Sequence, residues 1–371
     1  MSSITQQGST DAVHISVEPA TVPEVRTPAA SRRDPYFDNA KYLAILLVAL
    51  GHILPVVVEG SRATRTLYMF VYFFHMPVFV LVSGYLSRSY TGRPDQLKRL
   101  LTGVALPYVV FEVVYTLLIQ YGTGSDRPIS LLHPSYLMWF LLALFLWRVT
   151  APFWSVVRWP VAVSIAIAAL ATVTPGLGGA LDLPRVLQFL PFFVIGLRMR
   201  PEQFRALRRR PVRVASAVFL AASLVVTYKV THSIPLNWLY RSRSVQDLNA
   251  ELVPGLMWAG LLFVFTLLLT AAFLSLVPGS HRWFTVLGAG TICGYLLHGI
   301  LIRTGQYAGV FEELEWLNTP AGRVVTTLAM VAVMTLLCTP PVRKLMKPVT
   351  EPELAWAFRR AEKAGAERGR R

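Results

Sequence analysis

Residues 39–58 read NAKYLAILLVALGHILPVVV, and residues 67–86 read LYMFVYFFHMPVFVLVSGYL. As helices rising ~1.5 Å per residue, each reaches about 30 Å, the thickness of a bilayer's hydrocarbon core. The first carries one formal charge, Lys41, near its start, and the second carries none. Similar apolar runs follow at 100–120, 135–151, 160–174, 185–199, 213–231, 253–276, 283–303 and 321–341. The fifth and sixth runs are short and broken by Pro and Gly. The pattern predicts an all-α, polytopic membrane helix bundle of about ten transmembrane helices. No repeat at a fixed period is visible.

Composition points the same way. Of 371 residues, 54% are hydrophobic and 15% charged, with a mean hydropathy of +0.49. Soluble domains run near ~25% charged, so this chain has too little charge to cover a water-facing surface. That excludes disorder, secreted disulfide scaffolds and ordinary cytosolic enzymes. Cys293 and Cys338 both fall inside apolar runs and form neither a disulfide framework nor a metal cluster. Residues 1–37 are polar and read as a disordered cytoplasmic tail, 38–342 as the membrane domain and 343–371 as a basic cytoplasmic tail. The net charge is +16, and its placement argues for membrane topology rather than nucleic acid. With both termini on one side, 26 of the 36 basic residues share that side and 9 lie opposite, Lys41 standing at the boundary. The positive-inside rule then places both termini in the cytoplasm.

Within the spans, ionisable groups carry the information, because a charge at mid-membrane costs roughly 2.5–3.5 kcal/mol on insertion scales. Measured down from the far ends of their helices, His52 lies about 9 Å deep, His75 and Glu112 about 12 Å, and His298 about 8 Å. Four proton-carrying groups on four helices thus share one layer. The plain alternative is that each histidine satisfies a local backbone carbonyl. Three at one depth with a carboxylate favour a functional site, since imidazole titrates near working pH and a carboxylate can fix its tautomer. Lys41 and His52 stand about 16 Å apart along one helix. Taken alone, Lys41 reads as an ordinary snorkelling residue at a helix end.

The stretch RRDPYFDNAKYLAILLVALGH, ending in His52, followed by YFFHMPVFVLVSGYLSRS, resembles the acyltransferase-3 family, most of all its fucose 4-O-acetylase-type membrane acetyltransferases. Lys41, a ten-residue gap and His52 match the first family motif; FHMPVFVLVSGY, with His75, Pro77, Ser83 and Gly84, matches the second. Weaker echoes follow in KRLLTGVALPY (Lys98, Arg99, Pro107), LMWFLLAL (Trp139, Phe140), FLPFFVIGL (Pro191, Phe193, Gly196) and GTICGYLLHG (Tyr295, His298), so the resemblance covers roughly 32–340. It implies an integral membrane enzyme that moves an acyl group, often acetyl, from cytoplasmic acyl-CoA to a hydroxyl of a carbohydrate, on a glycan, a lipid-linked sugar or a small molecule. Some members carry a fused extracytoplasmic hydrolase-like domain; with a basic tail after the last span, a relay of that kind is expected to need a separate protein.

On this reading acetyl-CoA is the donor and no metal is needed. Lys41 and Arg99, by their motif positions, and Arg88, at the inner end of the second helix, are expected to hold the donor's phosphates. Arg88 and Arg93 also serve simply as positive-inside charges. His52 is expected to deprotonate the acceptor hydroxyl, His75 to be a second acid/base or oxyanion stabiliser, and Glu112, from its depth, to orient a histidine. A transient acyl-histidine is the open alternative. His298, Tyr295 and Trp139 are expected to line the acceptor side. Ser83 lacks a nucleophile elbow and reads, with Gly84, as a close helix contact. The loop 232–252, with Trp238, Tyr240, Arg241, Asp247 and Glu251, reads as a sugar surface, a lid or an interfacial belt. Arg supplies 30 of the 36 basic residues, a bias of GC-rich bacterial genomes that would make the membrane an inner or plasma membrane. The competing function is a transporter or flippase for a glycan or lipid precursor, in which the same His/Glu layer relays protons.

Overall fold

The computed structural model describes residues 34–58, 60–352, 354 and 356–358. The expected N-terminal tail lies, up to residue 33, outside the described residues, as does the end of the C-terminal tail from residue 359. The described residues form helices joined by turns, with no strand among them. The principal helices are α1 (Pro35–Ile53, extended by a 3-10 turn over Leu54–Val57), α2 (Arg62–Leu86), α3 (Pro94–Thr123), α4 (Trp139–Val156), α5 (Pro160–Val173), α6 (Leu183–Arg198), α7 (Arg210–Val230), α8 (Leu252–Leu276), α9 (Thr291–Tyr307) and α10 (Pro320–Leu337). Each overlaps one of the runs read from the sequence. Among the described residues, eight are long and apolar enough to cross a bilayer; α5, at 14 residues, and α9, at 17, are shorter. A further amphipathic helix, α11 (Pro340–Thr350), carries Arg343, Lys344 and Lys347 and packs Met346 and Val349 on the core.

The helix starts follow from local chemistry. Asp34 accepts the Tyr36 N–H at 2.9 Å and Pro35 opens α1. Ser61 caps α2 through Thr64 N, and Thr319 followed by Pro320 caps α10. Proline suits a first turn because its missing N–H would find no helical partner there. Within α3 the turn Leu101–Ala105 is π-helical, just ahead of Pro107, whose absent N–H leaves the ladder one bond short.

α1 and α2 are central: 72% of α2's most apolar window is buried, against 17% for α7 and α10. The outer helices expose apolar side chains such as Val218, Leu261 and Leu328, as lipid-facing surfaces do. α2 crosses α6 at two glycines. A Cβ on Gly84 would stand 2.0 Å from the Phe193 carbonyl oxygen, and one on Gly196 2.0 Å from that of Leu81. Ser83–Gly84 is therefore a place of backbone contact.

Several helix ends differ from the sequence reading, α3 for instance starting at Pro94 rather than 100, and two of the starts are set by buried turns. The fourth helix begins at Trp139 rather than 135, because residues 135–138 form a turn with Tyr136 in the left-handed region (φ 54°). The ninth begins at Thr291 rather than 283. Ahead of it, a 3-10 turn over Thr285–Ala289 presses between two helix ends, where a Cβ on Gly288 would lie 2.3 Å from Asp38 O and one on Gly290 2.1 Å from Cys338 O.

Candidate active site

Two cavities meet inside the bundle. The larger, of about 220 Å³, lies between α1, α2, α4 and α9. Lys41, Arg148, Leu86 and Thr291 line it at the face where α1 begins; Val48, Met76, Phe140 and Tyr295 line its deep end. The rest of its lining is apolar apart from Ser83. Lys41 pairs with Asp38 at 2.6 Å, and Arg148 Nε donates to Ser87 Oγ at 3.2 Å. The second cavity, of about 40 Å³, is lined by His52, Tyr72, His75, Trp139, Arg185 and Tyr240. Met76 belongs to both walls.

The imidazoles of this inner chamber are held in different ways. His75 Nδ1 lies 3.0 Å from Val71 O, and His298 Nδ1 lies 2.9 Å from Gly294 O, each the carbonyl four residues back on its own helix. A carbonyl only accepts, so Nδ1 carries the proton in both rings and Nε2 presents a lone pair. The Nε2 of His75 faces α1, where a Cβ on Gly51 would meet it at an ordinary 3.6 Å. The Nε2 of His298 is buried without a partner, and its ring lies 5.3 Å from that of His52. His75 and His298 are 2% and 0% exposed, whereas His52 is half-buried and opens on the chamber. His52 Nδ1 is 3.1 Å from Tyr136 Oη.

Tyr136 comes from the loop between α3 and α4, which dips into the bundle. Irregular backbone at such depth needs its polar groups satisfied by protein. Glu112 does this: its two carboxylate oxygens accept from Ser135 N at 3.0 and 2.8 Å, and Oε1 accepts from Thr116 Oγ1 at 3.3 Å. Tyr295 Oη donates to Leu137 O, Tyr108 Oη donates to Leu131 O, and Arg303 lies over the Tyr136 ring at 4.2 Å. Glu112 therefore sits one residue from the His52 partner without touching any histidine. The expectation that its carboxylate orients an imidazole is corrected to an indirect one, because a backbone N–H, not a ring, meets it.

The acyltransferase-domain profile, Acyl_transf_3, matches residues 34–339. The chain belongs to this acyltransferase family. It is 27% identical over 197 residues to nodulation protein NolL of Sinorhizobium fredii, covering 48% of this chain and 52% of that one. It is 42% identical over 60 residues to the NolL of Mesorhizobium japonicum, covering 15% and 16%. The chain thus spans about half the length of the first of these curated relatives and less of the second. No solved structure matches it. With its apolar helices, this acyltransferase-family chain is an integral membrane protein.

The other residues singled out from sequence fall in several places. Trp139 lines the His52 chamber, stacked on Phe189 and under Arg185. Tyr295 is on the wall of the larger cavity instead, and His298 stands behind His52. Lys41 is at the large cavity's mouth. Arg88 is exposed and stacks on Tyr85, and Arg99 is exposed on α3; neither lines the cavity. Sequence reasoning passed over Arg148, Arg185 and Tyr136. The first two had a signal, a basic residue inside or at the edge of an apolar run, but were counted only toward topology. Tyr136 had none, since only the tertiary fold brings its loop to His52.

Proposed function

We propose that this protein is an O-acyltransferase that takes an acyl group, acetyl by family resemblance, from acyl-CoA and delivers it to a hydroxyl of a carbohydrate acceptor. The observation that carries the reading is the shared wall at Met76, where a cavity with a basic mouth meets a chamber of imidazoles. The basic excess on the side where α1 begins supports a cytoplasmic donor mouth in an inner or plasma membrane.

Lys41 and Arg148 suit the anionic end of the donor, and the narrow apolar interior between them and Met76 suits its slender thioester arm. Arg88 and Arg99 remain available outside the mouth. His52 is assigned the tautomer that donates its Nδ1 proton to Tyr136 Oη, which leaves Nε2 basic, and it takes the acceptor's hydroxyl proton. The acceptor oxygen then bonds to the thioester carbon, the carbon–sulfur bond breaks, and the proton passes to the departing thiolate. The fixed tautomer of His75 favours a second base over an oxyanion donor. Trp139, Tyr240 and Tyr72 supply the aromatic wall on which a sugar ring packs.

The test is transfer of radiolabel from acetyl-CoA by purified protein in nanodiscs, with a membrane extract as acceptor source. His52→Ala is expected to lower the rate by about 10²–10⁴-fold with the fold intact. Wild-type transfer that His52→Ala leaves unchanged would overturn the assignment.

A further inference from the structure

Arg241 is not used by the chemistry above, yet the fold holds it in place. Its guanidinium lies 5.5 Å from the ring centroid of Phe189 and 5.6 Å from that of Phe192. No carboxylate among the described residues pairs with it. The residue takes a left-handed backbone (φ 50°), and the chain is fixed on either side of it. Arg185 Nε donates to Tyr240 O and Gln188 Nε2 to Arg243 O, each at 3.2 Å. Arg241 is partly buried, and a guanidinium held over two phenylalanine rings with no carboxylate partner among the described residues is placed to meet an anion that arrives from outside the chain.

Open space leads from Arg241 in two directions. Outward, a groove of about 90 Å³ runs between α5, α6 and α8 over Ala168, Ala169, Ala259 and Gly260. Its rim residues Ile165 and Leu256 are exposed on the apolar belt, and a Cβ on Gly260 would meet nothing within 4 Å. Inward, Arg241 shares a small cavity with Tyr72, Phe189 and Leu239, and these three also line the His52–His75 chamber. A cation therefore stands where a groove open to the bilayer meets the way to the candidate base.

We propose that Arg241 and this groove seat a phosphate-bearing lipid, its chain along Ala168, Ala259 and Gly260 and its phosphate on the guanidinium. A sugar carried on that phosphate then reaches past Tyr72 and Phe189 toward His52. This rests on the acyltransferase reading and narrows its acceptor to a sugar linked through phosphate to a long apolar chain, entering sideways from the membrane. A neutral, water-borne sugar would need neither the groove nor the charge. The guanidinium fork matches phosphate oxygens, and a basic pocket between membrane helices is a common seat for anionic headgroups.

The test is binding to the full chain in a neutral steroid-based detergent, by calorimetry, of dodecyl phosphate, inorganic phosphate and phosphatidylglycerol. Dodecyl phosphate is expected to bind at least about tenfold more tightly than inorganic phosphate, and Arg241→Gln to lose about tenfold or more of that affinity. Arg241→Lys should recover part of the loss. Gly260→Phe, placed in open space, should weaken dodecyl phosphate and leave inorganic phosphate as it was. Dodecyl phosphate binding that Arg241→Gln and Gly260→Phe both leave unchanged would overturn the site. Inorganic phosphate binding as tightly as dodecyl phosphate would reduce it to a free-anion site and overturn the lipid. Phosphatidylglycerol binding as tightly as dodecyl phosphate would make it a bulk-lipid seat and overturn the link to the acceptor. None of these readouts involves turnover, so failure here is distinct from failure of the His52 assignment.

Discussion

The hydrogen bond at His52 Nδ1 decides which substitutions are informative. That nitrogen meets Tyr136 Oη at 3.1 Å. Tyr136→Phe removes that partner and frees the ring to carry its proton on Nε2, the wrong nitrogen for a base. We predict a fall in kcat of about tenfold, with the thermal midpoint kept, measured by label transfer and by thermal unfolding in detergent. Glu112→Ala should behave differently. It leaves the buried Ser135 N–H without an acceptor, a cost of about 1–3 kcal/mol, and releases the loop that carries Tyr136. Midpoint and activity should fall together; an unchanged midpoint would contradict this role. His52 and His75 were legible in the sequence because polar residues in apolar runs are few and depth is countable. The exact duty of Glu112 was not, because its partner is a backbone N–H 23 residues away in a loop with no sequence signature.

Among the elements, the crossing of α2 and α6 fixes the position of α2, which lines both cavities. Gly84→Ala and Gly196→Ala each drive a methyl into a backbone carbonyl that cannot turn aside. Each is expected to cost about 1–3 kcal/mol, seen as a lower unfolding midpoint. Gly260→Ala, on the open groove, is the contrast: removing a helical glycine where space is free should stabilise by about 0.4–1 kcal/mol. The SG pair was read from sequence as a packing device, and the length of the apolar runs located all the long helices. The starts of α4 and α9 were misplaced because apolar composition alone does not separate a buried turn from a helix. At α9 it is Gly288 and Gly290, threaded against Asp38 and Cys338, that keep residues 285–290 out of the helix.

Across the whole molecule, a basic mouth, an apolar shaft and an imidazole chamber follow one another along α1, from Lys41 to His52. Arg148→Ala should raise KM for acetyl-CoA by about tenfold while leaving kcat near wild type, because the side chain stands at the mouth rather than beside His52. An equal loss in kcat would place it in the chemistry instead. The line from mouth to chamber was half visible from sequence: the spacing of Lys41 and His52 marks its two ends, but its walls come from α2, α4 and α9 and exist only once these pack. The most direct measurement is to irradiate the purified protein with an acyl-CoA bearing a photoreactive acyl chain and map the adducts by peptide mass spectrometry. Adducts are expected on the shaft and its junction, at Val48, Met76 or Phe140, competed away by acetyl-CoA. Adducts confined to the lipid-facing residues of α7, α8 and α10, insensitive to acetyl-CoA, would contradict this arrangement.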